Sequence, residues 1–198
     1  MSKSFNRSVK IVELKKGEAL PKLKYSYVTS SYYDLSIHRE AESWKIELAL
    51  KPLESSLEKS FDSEFFREYV DEPRVFAAVL GDEHVGWVEL GYHSWNSRMR
   101  VWEFLVRDDF RRKSVGTLLM NHAVEIAEER GARMLALEAQ TYNATAINFY
   151  LRFGFELTGF DATAYSNEDI KKKEVRLEFG LPLQRVPTGN TDNRPDFK

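Results

Sequence analysis

The sequence predicts an α/β (α+β) fold in one domain: a mixed, mostly antiparallel sheet with a central parallel strand pair and helices packed against it. Three observations predict it. Between residues 75 and 106, three apolar, β-branched or aromatic runs are joined by short turn-forming stretches, the pattern of an antiparallel meander. From Val115 the apolar spacing switches to three and four, which is helical, and the β-prone run 134–139 follows, so it should lie parallel to 101–106 through a right-handed crossover. Finally, the 198 residues contain no linker-like stretch, which suits one core, taken as residues 1–185.

Taken in order, residues 8–14 alternate loosely and suggest an edge strand, and a lysine-rich connection with Pro21 follows. Residues 25–28 and 44–50 lean towards β but could be strand or helix. The run Ser56 to Val70 places Leu57, Phe61, Phe65, Phe66 and Val70 at helical spacing and predicts a helix leaning on the sheet. The meander is 75–80, a Gly-Asp-Glu-His turn, 85–90, a loop through Ser94 to Arg98, and 99–106. The long helix runs to Gly131, a C′ glycine, with Glu125, Glu128 and Glu129 on its wet side. Residues 143–152 form a second helix that ends before Gly154. Beyond Phe155 to Thr158, the β-prone segments 161–166 and 174–181 should pair as a hairpin turning through 167–169. The polar stretch 186–198, with Pro187, Gly189 and Pro195, has no periodicity and reads as a disordered tail.

Composition excludes several classes. Charged residues make up 30% of the chain and the net charge is −2, so the basic excess of a nucleic-acid binder is missing. No apolar run reaches membrane-spanning length and the N-terminus lacks the apolar core of a signal peptide, which predicts a cytoplasmic protein. Cysteine is absent, and the four histidines at 38, 84, 93 and 122 show no ligand spacing, so neither disulfides nor a metal site is expected.

The functional signal is concentrated between strand 101–106 and the long helix. There Arg111, Arg112, Lys113, Ser114, Val115, Gly116 and Thr117 open the helix. Its first amides have no intrahelical partner, its dipole is positive at that end, and small residues at 114 and 116 admit a ligand to the backbone. An anion, best a pyrophosphate, belongs at this turn. A second pattern places Asn143, Ala146 and Tyr150 on one helical face, with Phe149 beside Tyr150. The strand 101–106 carries one acid, Glu103, among apolar residues.

Arg111-x-x-Ser114-x-Gly116 resembles the Arg/Gln-x-x-Gly-x-Gly/Ala signature of the GNAT superfamily of N-acetyltransferases, and Asn143-x-x-Ala146-x-x-Phe149-Tyr150 resembles its second acetyl-CoA-contacting segment. The resemblance covers roughly residues 74–181. It implies a GNAT-like domain whose two central parallel strands splay apart, one of them bulged, with acetyl-CoA as cosubstrate in the gap. It also implies pairing with backbone near Phe104, Leu105 and Val106, a carbonyl-binding amide at Leu105 or Val106, an Asn143 that touches the cofactor arm and a Tyr150 that protonates the departing thiolate. Ser114 replaces the first glycine, which is tolerable if its φ is negative.

An amine nucleophile must lose a proton before attack, and a buried carboxylate can take it. Glu103 and Glu138 both qualify, alone or through water, with Glu103 favoured, although each could instead be paired to Arg98, Arg100 or Arg133, or face solvent beyond the helix. Trp95-Asn96-x-Arg98, Leu137-Glu138-Ala-Gln140 and Gly159-Phe-Asp161-Ala-Thr-Ala-Tyr165 resemble the streptothricin acetyltransferases, which acetylate the β-lysine amine of that antibiotic and so confer resistance. That likeness implies a small-molecule amine substrate with Trp95, Glu138, Asp161 and Tyr165 on its wall, and Trp44 and Tyr33 as further aromatic candidates. A peptide or protein amine, or a polyamine, is the alternative acceptor, and a non-catalytic acetyl-CoA-binding module is the alternative of another class. Either a monomer or a homodimer would serve.

Overall fold

The computed structural model describes residues 9–18 and 20–183. The domain end at 185 and the predicted tail 186–198 lie outside the described residues. The chain order is β1 (Val9–Leu14), β2 (Leu23–Arg39), β3 (Trp44–Ser63), β4 (Arg74–Leu80), β5 (Glu83–His93), β6 (Arg98–Val106), α1 (Val115–Glu129), β7 (Met134–Gln140), α2 (Ala144–Phe153), β8 (Glu156–Asp161), a single turn α3 (Asp169–Lys172) and β9 (Arg176–Pro182). Seven strands form one sheet in the order β1-β4-β5-β6-β7-β9-β8, and β2 and β3 pair apart from it. Within the large sheet the β6–β7 pair is parallel and the others are antiparallel, as a crossover through α1 requires.

Both helices pack on one face of the sheet. Val115, Leu119, Met120, Ala123, Ile126 and Ala127 of α1, with Ile147 and Tyr150 of α2, bury against Phe76, Val88, Val101, Leu135, Leu137, Leu177 and Phe179. Each helix ends on a glycine of positive φ. The amide of Ala132 returns to Ala127 C=O and that of Gly131 to Glu128 C=O; Phe155 and Gly154 repeat the pattern onto Tyr150 and Leu151. These paired bonds satisfy carbonyls that the helix leaves open, and they need a left-handed residue at the turn.

The opposite face holds a smaller core of Leu23, Phe65, Val75, Ala77 and Trp87, covered by the β2–β3 ribbon. Here the expected helix 56–70 fails. Residues 56–63 belong to β3, and Phe61 stacks on Tyr25 across the ribbon at 4.8 Å. The helical spacing is real, but the aromatic and β-branched partners on Tyr25–Thr29 offer cross-strand pairs and ladder hydrogen bonds that win over periodicity. Residues 25–28 and 44–50, left open between strand and helix, are both strand. Pro52 sits opposite Ser31 beside the register shift, an irregularity at which a strand tolerates proline. The last hairpin is also shifted: β9 pairs with Glu156–Asp161, not with 161–166, because 162–173 is taken up by turns and α3.

Candidate active site

The strands β6 and β7 pair only over Arg98–Arg100 and Met134–Ala136, then part. A bulge drives the parting. Opposite β5, Glu89 faces Glu103 and Leu90 faces Val101, so Trp102 is an extra residue that bends β6 away. Past the fork, Phe104 N–H donates to the Tyr25 hydroxyl at 3.2 Å and Val106 C=O accepts from Arg111 Nε at 3.5 Å, so these two residues turn their backbone groups into the gap. By strand alternation Leu105 turns its own towards β5. Of the two amides expected to bind a carbonyl, that of Val106 faces the gap and that of Leu105 faces β5.

At the helix start the backbone is unlike the expectation. Ser114 has φ 65 and ψ 5, and Arg112 has φ 60. The serine adopts the left-handed conformation that glycine favours instead of a negative φ, and with Arg112 it puts two left-handed residues either side of Lys113, the backbone pattern of a nest. The first helical bond runs from Leu118 N–H to Ser114 C=O, leaving the amides of Val115, Gly116 and Thr117 without intrahelical acceptors. Arg111 is turned from the nest: it bonds Ser26 C=O at 3.1 Å and pairs with Asp108 at 2.7 Å. Lys113 lies over the Phe110 ring at 5.0 Å. A Cβ on Gly116 would lie 3.6 Å from Phe104 and Phe149, which is ordinary contact, so packing alone does not demand a glycine there.

Glu103 is 5% exposed and fully engaged. Tyr25 and Ser63 each donate to it at 2.6 Å, and the Arg67 guanidinium pairs with it. It pairs with none of the three arginines expected from the sequence. Directly across the ladder lies Glu89, wholly buried, with one oxygen accepting Phe66 N–H at 2.6 Å and the other without a partner. Burial pushes its carboxyl above the usual range, against the Phe66 bond and the Arg67 charge. Tyr150 lies among Phe104, Phe149, Phe155 and Phe179, its hydroxyl in no hydrogen bond with a described residue, and burial raises its phenol.

The remaining candidates divide. Asn143 accepts Ala146 N–H at 3.2 Å and so caps α2, leaving its amide nitrogen for any other contact. Glu138 pairs with Arg100, and Arg176 lies 3.2 Å from Glu178 and 3.7 Å from both Glu138 and Asp161. Tyr165 sits close to this group, its phenol pushed up to about 12 by burial and then by Glu138. Trp95 and Trp44 are 79% and 63% exposed, and Tyr33 donates to Asn148 at 2.8 Å, away from Glu103. Sequence reasoning missed Tyr25, Ser63, Arg67 and Glu89. The signal for Glu89 was available, as a lone acid in an apolar strand like Glu103. Tyr25 and Ser63 lie on the ribbon and Arg67 in the connection that follows it, and no local pattern brings them to Glu103.

Among the described residues no cluster of three or more metal-ligating side chains forms, and no helix is long and apolar enough to cross a membrane.

Residues 39–155 match the model of the acetyltransferase (GNAT) family. A streptothricin acetyltransferase of Streptomyces lavendulae is 33% identical over 174 residues, covering 84% of this chain and 89% of that protein. The crystal structure of nourseothricin acetyltransferase superposes with a TM-score of 0.71 at 28% identity, over 89% of this chain and 99% of that one. A Bacillus anthracis protein assigned as a streptothricin acetyltransferase, solved with acetyl coenzyme A, shares the fold at a TM-score of 0.70 and 24% identity, over 89% and 98% of the two chains.

Proposed function

The chain belongs to the GNAT family of acetyltransferases, and we propose that the amine it acetylates is the β-lysine amine of a streptothricin-type antibiotic, with acetyl-CoA as donor. The observation that carries the acetyl-transfer reading is the fork: β6 and β7 part after Arg100 and Ala136, with an amide nest at one end and a buried acid and phenol beside the gap. The substrate rests on the relatives from Streptomyces lavendulae and the nourseothricin enzyme.

The amides from Arg112 to Thr117 would hold the pyrophosphate, and Gly116 would let it approach, since packing leaves room there for a side chain. Bound acetyl-CoA supplies an activated thioester carbonyl. Val106 N–H points into the gap and would polarise that carbonyl. For the proton, Tyr25 is placed between the gap and Glu103. Its oxygen already accepts Phe104 N–H and keeps a second lone pair, so it can take a proton from the ammonium while passing its own to Glu103. Tyr150, with an uncommitted hydroxyl, would then protonate the departing thiolate. Glu138, held by Arg100 and Arg176, is the weaker candidate for base, and with Asp161 and Tyr165 forms the outer wall.

Incubating the purified protein with acetyl-CoA and streptothricin, with mass spectrometry of the drug, tests the substrate. The expected result is one added acetyl group on the β-lysine chain and a gain of tolerance in a strain expressing the protein. An unmodified drug alongside rapid acetylation of peptide amines or polyamines would overturn the antibiotic assignment.

A further inference from the structure

Over the paired end of the two central strands, a cavity of about 450 Å³ opens between the start of β6, β7 and the β8–β9 pair, lined in part by Trp95, Asn96, Arg98, Arg100, Thr158 and Glu178. Arg100 and Ala136, the last paired residues of the fork, both line it. Ala136 and Glu178 alternate with Leu135, Leu137, Leu177 and Phe179, which pack under the helices, so the cavity lies on the other face of the sheet, the one that carries Glu103.

Its polar inventory is incomplete. The Nε atoms of Arg98 and Arg100 are buried without hydrogen-bond partners. Arg100 spends its other nitrogens on Glu138 and Glu178, whereas Arg98 has no ion pair among the described residues. Arg98 therefore brings to the cavity wall a guanidinium that no described carboxylate occupies, and a ligand oxygen that accepts from it would gain a charge-assisted hydrogen bond. Charge narrows the ligand further. The ion-paired group of Arg100 and Arg176 with Glu138, Glu178 and Asp161 carries one excess negative charge, which Arg98 on the same cavity wall cancels, so an incoming full charge would unbalance it. A neutral acceptor fits better. Beside it, Trp95 presents a flat indole that is 79% exposed.

We propose that this cavity is a specificity subsite for a neutral carbonyl group, of the amide or carbamoyl class, at the non-reacting end of the amine substrate, with Arg98 as the donor and Trp95 as a flat wall. The inference rests on the acetyl-transfer reading only in taking the fork as the place of reaction; it does not need streptothricin. At about 3.3 Å per strand residue, Arg98 lies roughly 16 Å from Glu103 along β6, somewhat less with the bulge. The substrate is thus an extended amine whose far end is read by hydrogen bonding. The bulge at Thr158 in β8, where the β8–β9 register shifts, turns an extra residue onto the cavity wall.

The test uses monoacetylated diamines of increasing chain length beside alkylamines of matched length, with the intact enzyme and saturating acetyl-CoA. At one length the carbonyl-bearing amine should have the higher kcat/KM. Arg98→Ala should abolish that advantage, with a KM increase of roughly tenfold to a hundredfold at unchanged kcat, the signature of lost uniform binding. Kinetics with plain alkylamines and the KM for acetyl-CoA should stay as in the wild type. Trp95→Ala, a change at an exposed position, should give a smaller fall of the same kind and serves if Arg98→Ala does not fold. No preference for the carbonyl at any length, or an equal loss for both series, would overturn the proposal. Failure of the wild type to acetylate streptothricin would sink the antibiotic assignment while leaving this comparison decisive.

Discussion

Ser114 occupies a left-handed backbone conformation that costs a side-chain-bearing residue about 1–2 kcal/mol, part of which glycine would give back as unfolded-state entropy. Ser114→Gly should therefore stabilise the protein by about 0.5–1 kcal/mol, visible as a Tm rise of about 1–4 °C, without weakening acetyl-CoA binding. A lower Tm would show that the serine is not strained. Tyr150 and Glu89 make two further predictions. Tyr150→Phe should cut kcat by about a hundredfold or more while leaving acetyl-CoA affinity intact, since its hydroxyl bonds nothing in the protein that the fold would miss. Glu89 has a raised carboxyl pKa, so its protonated form favours folding below the ordinary value of 4.5 and that contribution is lost as pH rises through the folded-state value. Glu89→Gln keeps the acceptor for Phe66 N–H and cannot ionise. Thermal melts should show the variant more stable than the wild type at pH 8, with the gap closing at pH 4. At this scale Glu103 and Tyr150 were legible because an acid in an apolar strand and a tyrosine on a patterned helix are local facts. The partners Tyr25, Ser63 and Arg67 were not, since they come from 78, 40 and 36 residues away.

At the level of elements, the bulge in β6 is the device that opens the sheet, and Gly91 helps seat it. A Cβ at Gly91 would fall 2.6 Å from the Trp102 ring nitrogen and 2.8 Å from Val70. Gly91→Ala should push the bulged tryptophan out of register, at a cost of about 1–3 kcal/mol for overpacking, and lower kcat/KM together with Tm. An active variant of unchanged stability would show that the bulge tolerates displacement. The meander, both long helices and the parallel crossover were readable because each is fixed by its own period. The ribbon was not. Its residues 56–70 carry helical spacing, and only the cross-strand partners on β2, invisible in a local window, make 56–63 a strand. Ser114 shows the same limit in a turn, where the residue type argues for negative φ and the folded backbone holds it at 65.

For the molecule as a whole, the ribbon ties the two arms of the fork together. Leu23 is buried beside Trp87 on the β4–β5 side, Tyr25 bonds Glu103 and Phe104 on β6, and Tyr33 N–H bonds Thr141 C=O beyond the end of β7. The arms are thus held apart yet bridged, so acetyl-CoA should enter a largely preformed gap and act by filling it. At a hundredfold excess over Kd, binding to the folded state alone stabilises by about 2.7 kcal/mol. For a chain of this size that is a Tm rise of about 5–10 °C. Hydrogen exchange should locate the source. The amides of Val115, Gly116 and Thr117, which have no intrahelical acceptors, and that of Val106 should slow markedly on binding, while the middle of α1 changes little. Stabilisation with no slowing at these amides would place the cofactor elsewhere on the molecule, and the reading of the fork as the reaction site would fall with it.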